Sequence, residues 1–205
     1  MNDVSFWNKI ARSYAKRPIS NIPAYEETLA HVRQHLRPHH QVLEVGCGTG
    51  STALLLAPSV ANYIGSDLSP EMITIAQEKY ALSPIEGLSF CVARAELDDV
   101  EAESLDVVLA FNLYHLVPDL EAALAAAHRV VKPGGLFITK TPCIGKMWYL
   151  RPVIKAMQMI GKAPRVTFFT SASYETAIEK AGFQIIETAY YAAKTNNRFV
   201  VARKS

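Results

Sequence analysis

The residues of this 205-residue chain best placed to hold a charged small molecule are two acids and a group of glycines at the ends of apolar runs. In Gln41-Val42-Leu43-Glu44-Val45-Gly46-Cys47-Gly48-Thr49-Gly50-Ser51-Thr52, the residues Val42, Leu43 and Val45 make the short apolar run of a buried parallel strand, and three glycines break it at once. Helix formers resume from Thr52 to Ala57, so the glycines sit between a strand's carboxyl end and a helix amino terminus, where backbone N–H groups are unpaired. The loop reads Gly-x-Gly-x-Gly rather than the Gly-x-Gly-x-x-Gly that meets a pyrophosphate, and Glu44 stands two residues before its first glycine. A carboxylate there repels a pyrophosphate and attracts a cation. Asp67 comes 17 residues after Gly50, at the end of the next run, Ala61 to Ser66, where a doubly wound nucleotide fold places the acid that accepts both ribose hydroxyls. Capping the helix Pro70 to Tyr80 is the other role open to Asp67, although Ser69 is the better N-cap and leaves the acid free.

Asn112 and His115 follow a fourth apolar run, Leu105 to Phe111, in a loop that lies across the switch point of such a sheet from the glycines. His115 has the right kind of pKa for a general base at neutral pH, and a helix-leading histidine bonded to backbone is its bland alternative. The six histidines and the cysteines Cys47, Cys91 and Cys143 show no metal-ligand spacing, so no metal site is expected and the thiols read as reduced.

The elements that must position these groups alternate strand and helix within a length that suits one α/β domain. Two helices come first, Val4 to Lys16 with Phe6, Trp7, Ile10 and Tyr14 at helical spacing, and Tyr25 to Leu36, with Pro18 and Pro23 punctuating the link. Leu88 to Ala93 reads as the third strand, and a helix through Leu120, Ala123, Leu124, Ala127 and Val130 follows the fourth. Lys132-Pro133-Gly134-Gly135 closes that helix with a glycine turn, and Leu136 to Thr139 opens a fifth strand. Ser171 to Lys180 is a helix stopped by Gly182, and Phe183 to Thr188 and Phe199 to Ala202 are strands joined through Asn196-Asn197.

No apolar run reaches about 18 residues, and Met1 to Ser5 is neither basic nor apolar in the manner of a signal peptide, which points to a soluble, cytoplasmic protein. The net charge of +2 conceals a partition. Met1 to Glu121 carries 8 Lys+Arg against 16 Asp+Glu, whereas Ala122 to Tyr174 carries 8 against none. Within that basic stretch, Arg151, Lys155, Gln158 and Lys162 recur on one face of an expected helix starting around Pro152, and Leu150, Val153, Ile154, Met157 and Gly161 recur on the other, led by Lys146, Trp148 and Tyr149. This element suits a lid over an anionic substrate, with Trp148, Tyr149, Arg151 and Lys155 as its contacts, or a peripheral membrane contact through residues 146–162; a solvated basic face over a core stripe is the third reading. One short basic face without a stacking platform argues against nucleic acid.

The segment Val42 to Gly50 resembles motif I of the class I S-adenosylmethionine-dependent methyltransferases, and the resemblance runs from about Gln41 to the C-terminus. It implies S-adenosyl-L-methionine as cofactor and S-adenosyl-L-homocysteine as product, with Glu44, Gly46, Cys47, Gly48 and Gly50 packed against the amino-acid end. Gly65 to Met72 is similar to the family's second motif, which sets Asp67 at the ribose and Leu68 and Met72 beside the adenosine. Arg94-Ala95-Glu96 stands where the family usually has an Asp before the Ala. Arg94 cannot accept from the adenine amine, so it could stack on the ring and leave the acceptor role to Glu96 or a backbone carbonyl. Asn112 and Leu113 match the fourth motif, and Phe6-Trp7-Asn8 with Ala11 and Tyr14 looks like the family's N-terminal lid, which puts Tyr14 near the transferred methyl.

The expected molecule is one methyltransferase domain over 1–205: a helical lid (1–38), a cofactor-binding core (41–140), a helical insertion (143–169) and a closing helix and hairpin (171–205). Its sheet has seven mostly parallel strands with an antiparallel last strand and helices on both faces. The expected reaction moves a methyl group by in-line displacement to N or O of a small or amphiphilic, anionic acceptor such as a lipid head group, with Tyr14 and His115 as catalytic candidates. The alternative is a binding module for the same cofactor without transfer. No Asn-Pro-Pro-Tyr-like motif follows the fourth strand, which argues against methylation of amide nitrogens or bases.

Overall fold

The computed structural model describes residues 3–192 and 195–205; Met1 and Asn2, the start of the expected lid, lie outside them. Seven strands form one sheet: β1 (Gln41–Val45), β2 (Asn62–Asp67), β3 (Leu88–Val92), β4 (Leu105–Phe111), β5 (Val131–Pro142), β6 (Phe183–Ala189) and β7 (Asn197–Lys204). Their spatial order is β3-β2-β1-β4-β5-β7-β6, with β1 to β5 parallel and β7 antiparallel to both neighbours. The order reverses between β1 and β4, where the expectation placed the site.

Strand β4 shows why the central strands read as unbroken apolar runs. Val108 and Ala110 pack into one core layer and Val107 and Leu109 into the opposite one. The first layer is completed by α5 (Leu120–Val130) and α7 (Ser171–Lys180), the second by α2 (Ile22–His35) and α3 (Ser51–Leu56). Helix α1 (Asp3–Ala15) packs through Ala11 on Met72 and Ile75 of α4 (Pro70–Leu82), and Arg12 reaches Glu78 at 2.8 Å. Ser69 accepts from the Met72 N–H at 3.2 Å and so caps α4, as its sequence position required.

Four local readings change. Pro23 lies in the first turn of α2, which Asn21 caps by accepting from the Ala24 N–H, because proline's missing donor costs nothing there. Helix α5 ends at Val131 in an extended conformation, and Gly134 and Gly135 fall inside the long β5 instead of closing the helix. The link between β6 and β7 runs from 190 to 196, with Asn197 already in β7. The insertion helix α6 (Arg151–Met159) follows a 3₁₀ turn (Trp148–Leu150) and stops before Lys162, since Gly161 takes a φ of 65° and turns the chain.

Gly50 combines a close fit with a left-handed backbone. Its φ is 74°, and a Cβ there would lie 2.8 Å from the Ala76 Cβ and 2.9 Å from the Phe90 ring. Gly48 has φ 55° with nothing within 4 Å of a built Cβ. Gly50→Ala therefore combines backbone strain with overpacking and should lose at least about 2 kcal/mol in urea unfolding, clearly more than Gly48→Ala, which meets the strain alone.

Candidate functional site

The chain leaves β1 through Gly46 and reaches α3 five residues later, at Ser51, and this loop is held by groups from its neighbours in space. Asp67, at the end of β2, accepts the Gly48 N–H through Oδ2 at 3.0 Å and the Ser69 N–H through Oδ1 at 2.9 Å. Lys79 of α4 donates to Thr49 and Ser51 at 2.8 and 2.9 Å. Ser69 also donates to Asn8 of α1 at 2.6 Å, which fastens the N-terminal helix over the same end of the sheet. A Cβ on Gly46 would strike Leu113 at 2.8 Å, so a bare backbone is needed where the loop passes the β4 side.

Beneath α1 these elements enclose a cavity of about 580 Å³. That volume lies in the range of small-molecule and cofactor sites. One end is acidic. Glu44 is buried and accepts from the Tyr63 hydroxyl at 2.8 Å, and burial pushes its carboxyl up to about 7, with Asp67 adding to the rise. Burial raises Asp67 too, against the lowering effect of its backbone donors. The other end is the rim of α1 and the link to α2, where Tyr14, Arg17, Ile19 and Ser20 meet the opening.

Twelve of the thirteen residues expected at a cofactor line this cavity: Glu44, Gly46, Cys47, Gly48, Asp67, Leu68, Met72, Arg94, Ala95, Glu96, Asn112 and Leu113. Gly50 does not; it packs behind the loop and serves the turn. Asn112 adopts a φ of 55°, a left-handed conformation that asparagine tolerates, with its N–H bonded to the Lys140 carbonyl at 2.7 Å. Cys47 is no nucleophile, because burial and the nearby carboxylates drive its thiol far above the usual range.

Tyr14 reaches the rim of the cavity, and His115 does not line it. The imidazole Nδ1 of His115 lies 3.2 Å from the Thr141 hydroxyl, and burial lowers its pKa to about 4, so it is neutral and weakly basic at pH 7. Trp148, Tyr149, Arg151 and Lys155 also lie off the cavity, because the insertion returns at Gly145 and Phe169 to the α7 side of the sheet. Sequence reasoning missed Tyr25, whose hydroxyl meets that of Thr52 at 3.1 Å on the cavity wall, and Arg17. Tyr25 looked like one more apolar-face residue of α2, and nothing in its spacing marks it as wall.

Residues 43–139 match a family model described as a methyltransferase domain. A ubiquinone biosynthesis O-methyltransferase of Methylobacterium nodulans is 31% identical over 152 residues, which cover 72% of this chain and 61% of that protein. A highly reducing polyketide synthase of Pyricularia oryzae is 25% identical over 207 residues, covering 92% of this chain and 8% of the synthase. The chain thus spans about three fifths of the one relative and under a tenth of the other. Among solved structures, a chain from the complex between the Haloferax volcanii Trm112 methyltransferase activator and a methyltransferase superposes with a TM-score of 0.78 at 18% identity, covering 96% of both chains.

Glu44 gives the site a pH signature. Its carboxyl ionises near 4.5 when exposed and at about 7 here, so across that interval the folded state keeps a proton that the unfolded chain has released. Stability therefore falls as pH rises, and the full penalty of about 3 kcal/mol is present above about 7. Glu44→Gln removes that penalty and keeps an acceptor for Tyr63. In urea unfolding of the ligand-free protein it should be more stable than wild type by up to about 3 kcal/mol at pH 8 and by about 1 kcal/mol or less at pH 5.

Proposed function

We propose that this chain, whose residues 43–139 match a methyltransferase-domain model, is a class I S-adenosylmethionine-dependent methyltransferase that moves a methyl group to N or O of a small or amphiphilic, anionic acceptor. The observation that carries the reading is a cavity whose lining brings the buried Glu44 and the Asp67 carboxylate together with Tyr14, Arg17 and Tyr25. Glu44 is a buried carboxylate whose protein donor is the Tyr63 hydroxyl, so it retains acceptor capacity toward a cationic group on the cavity side. Asp67 spends one lone-pair direction of Oδ2 on the glycine loop and one of Oδ1 on the start of α4, and retains others for paired hydroxyls. Gly46, with a φ of 71° and Leu113 2.8 Å from a built Cβ, keeps the backbone bare at the cavity wall. These features fit the amino-acid and ribose parts of S-adenosylmethionine, with Leu68, Met72 and Leu113 as apolar walls for the adenosine and Arg94 as a planar group able to stack.

Bound there, the cofactor would supply a methyl already activated on a sulfonium. What the chain adds is placement and exclusion of water: α1 roofs the cavity, tied down by Asn8 to Ser69 and by Arg12 to Glu78. Orientation of two bound reactants can contribute roughly 7–11 kcal/mol in favourable cases. No histidine lines the cavity among the described residues, and His115 is a weak base facing Thr141. That supports an acceptor atom that arrives deprotonated, and Arg17 at the rim supports its negative charge. The likeness to ubiquinone biosynthesis O-methyltransferases supports oxygen as the acceptor on an amphiphilic molecule.

The insertion fits an amphiphilic acceptor as a surface contact and not as a lid. None of the residues of α6 is buried, and Trp148, Val153 and Ile160 are 70%, 56% and 66% exposed in a stretch without one acid. An apolar stripe left in water beside Lys146, Arg151 and Lys155 suits the plane of an anionic lipid surface.

Two experiments test these points. S-Adenosylhomocysteine should raise the thermal midpoint of wild type and not of Asp67→Ala, while NAD should raise neither; methyl label from S-adenosylmethionine should then enter an organic-phase acceptor in a cell extract with wild type only. Label in neither phase, with cofactor binding intact, would favour the module without transfer. Independently, wild type should co-sediment with vesicles containing phosphatidylglycerol and not with phosphatidylcholine alone, and Arg151→Glu/Lys155→Glu should abolish that binding without moving the midpoint.

A further inference from the structure

We propose that His31, His35 and Glu187 form a site for a divalent transition-metal ion of the zinc class, on the face of the sheet opposite α7 and apart from the cavity. It runs against the expectation of no metal, because only two of its three residues lie close in the chain. The two histidines are four residues apart on α2, a spacing that stacks them on one helix face, and their third partner comes from β6, more than 150 residues later.

What brings Glu187 there is a β-bulge. Ile185 pairs with Ala202 and Glu187 with the adjacent Val201, so Ile186 is an extra residue in β6. Before the bulge Ile185 packs into the core layer of α5 and α7; after it Ala189 packs into the layer of α2. The inserted residue turns Glu187 from the first face to the second, toward the histidines. The His31 Nε2 approaches one oxygen of Glu187, and the His35 Nε2 lies 3.3 Å from the other. Neither nitrogen makes a directed hydrogen bond, and both are buried atoms. The Tyr191 hydroxyl, beside His31, is likewise buried without a partner, and the ring centroids of the two residues are 5.5 Å apart.

One ligand atom from each of the three residues lies within 4.8 Å of the others. A shared ion would sit at about 2.0–2.2 Å from two imidazole nitrogens and a carboxylate oxygen, and the set leaves a fourth position open. Imidazole donors select zinc, copper, nickel or iron(II) over magnesium and calcium. The side chains are 21–31% exposed, which leaves an entry path from solvent. A simple ion pair of Glu187 with a charged imidazole is the competing account, and it needs no metal.

The test uses the full chain after chelator treatment, titrated with zinc chloride alone by calorimetry and followed by thermal unfolding. Wild type should take up one equivalent and gain in midpoint, magnesium chloride should do neither, and His35→Gln and Glu187→Gln should each weaken zinc binding at least about tenfold. Cobalt(II) should give the intense visible bands of a four- or five-coordinate centre in wild type and lose them in both variants. The unfolding midpoints of the metal-free variants confirm that they fold. Absence of zinc uptake, or uptake unchanged in both variants, overturns the proposal.

Discussion

The Asp67 carboxylate, half-buried at the end of β2, accepts one backbone N–H from the glycine loop and one from the start of α4. Remove it and the Gly48 N–H has no partner in a part-buried place, while the turn into α4 loses the acceptor that fixes Ser69. Ser69 in turn caps α4 and holds Asn8, so the same carboxylate stands at the root of the connection from the sheet to the roof of the cavity. Burial works against its charge and the two donors work for it. A ligand presenting further donors acts in the direction of those N–H groups, which ties occupancy of the cavity to the order of the loop.

Glu44 sits deeper and is less well served. Its carboxyl has one protein donor and meets Asp67 as a like charge, and both effects push it toward the neutral form. A core built only for stability would place an apolar residue on β1 at this point. The acid is kept at the cavity's closed end, where its charge is costly without a cation and favourable with one.

Much of this was legible because the local rules agree with the global fold. Apolar runs buried on both faces announced the central strands, Ser69 announced the cap of α4, and the three glycines announced the turn; all three signals are short in range. What stayed hidden depends on where elements meet. His115 and Asn112 are three residues apart in one loop, yet Asn112 turns through a positive φ to the cavity while His115 faces Thr141. The Arg151 and Lys155 face was visible as a pattern, but periodicity tells that a helix has two sides and not what either side meets. The facing of Glu187 within the expected strand stayed hidden, because a bulge has no signature in residue type here and reverses the facing of everything after it.

Helix α2 connects these separate features along one axis. Near its start Tyr25 meets Thr52 at the cavity wall; one turn on, Thr28 accepts from Lys140 of β5 at 2.7 Å; further along, Leu29, Val32 and Leu36 fill the core layer. His31 and His35 then face Glu187 on β6, the edge strand of the sheet. At 14 residues the helix is about 21 Å long, so the cavity wall and the outer strand are joined by a single rigid element and not by a loop.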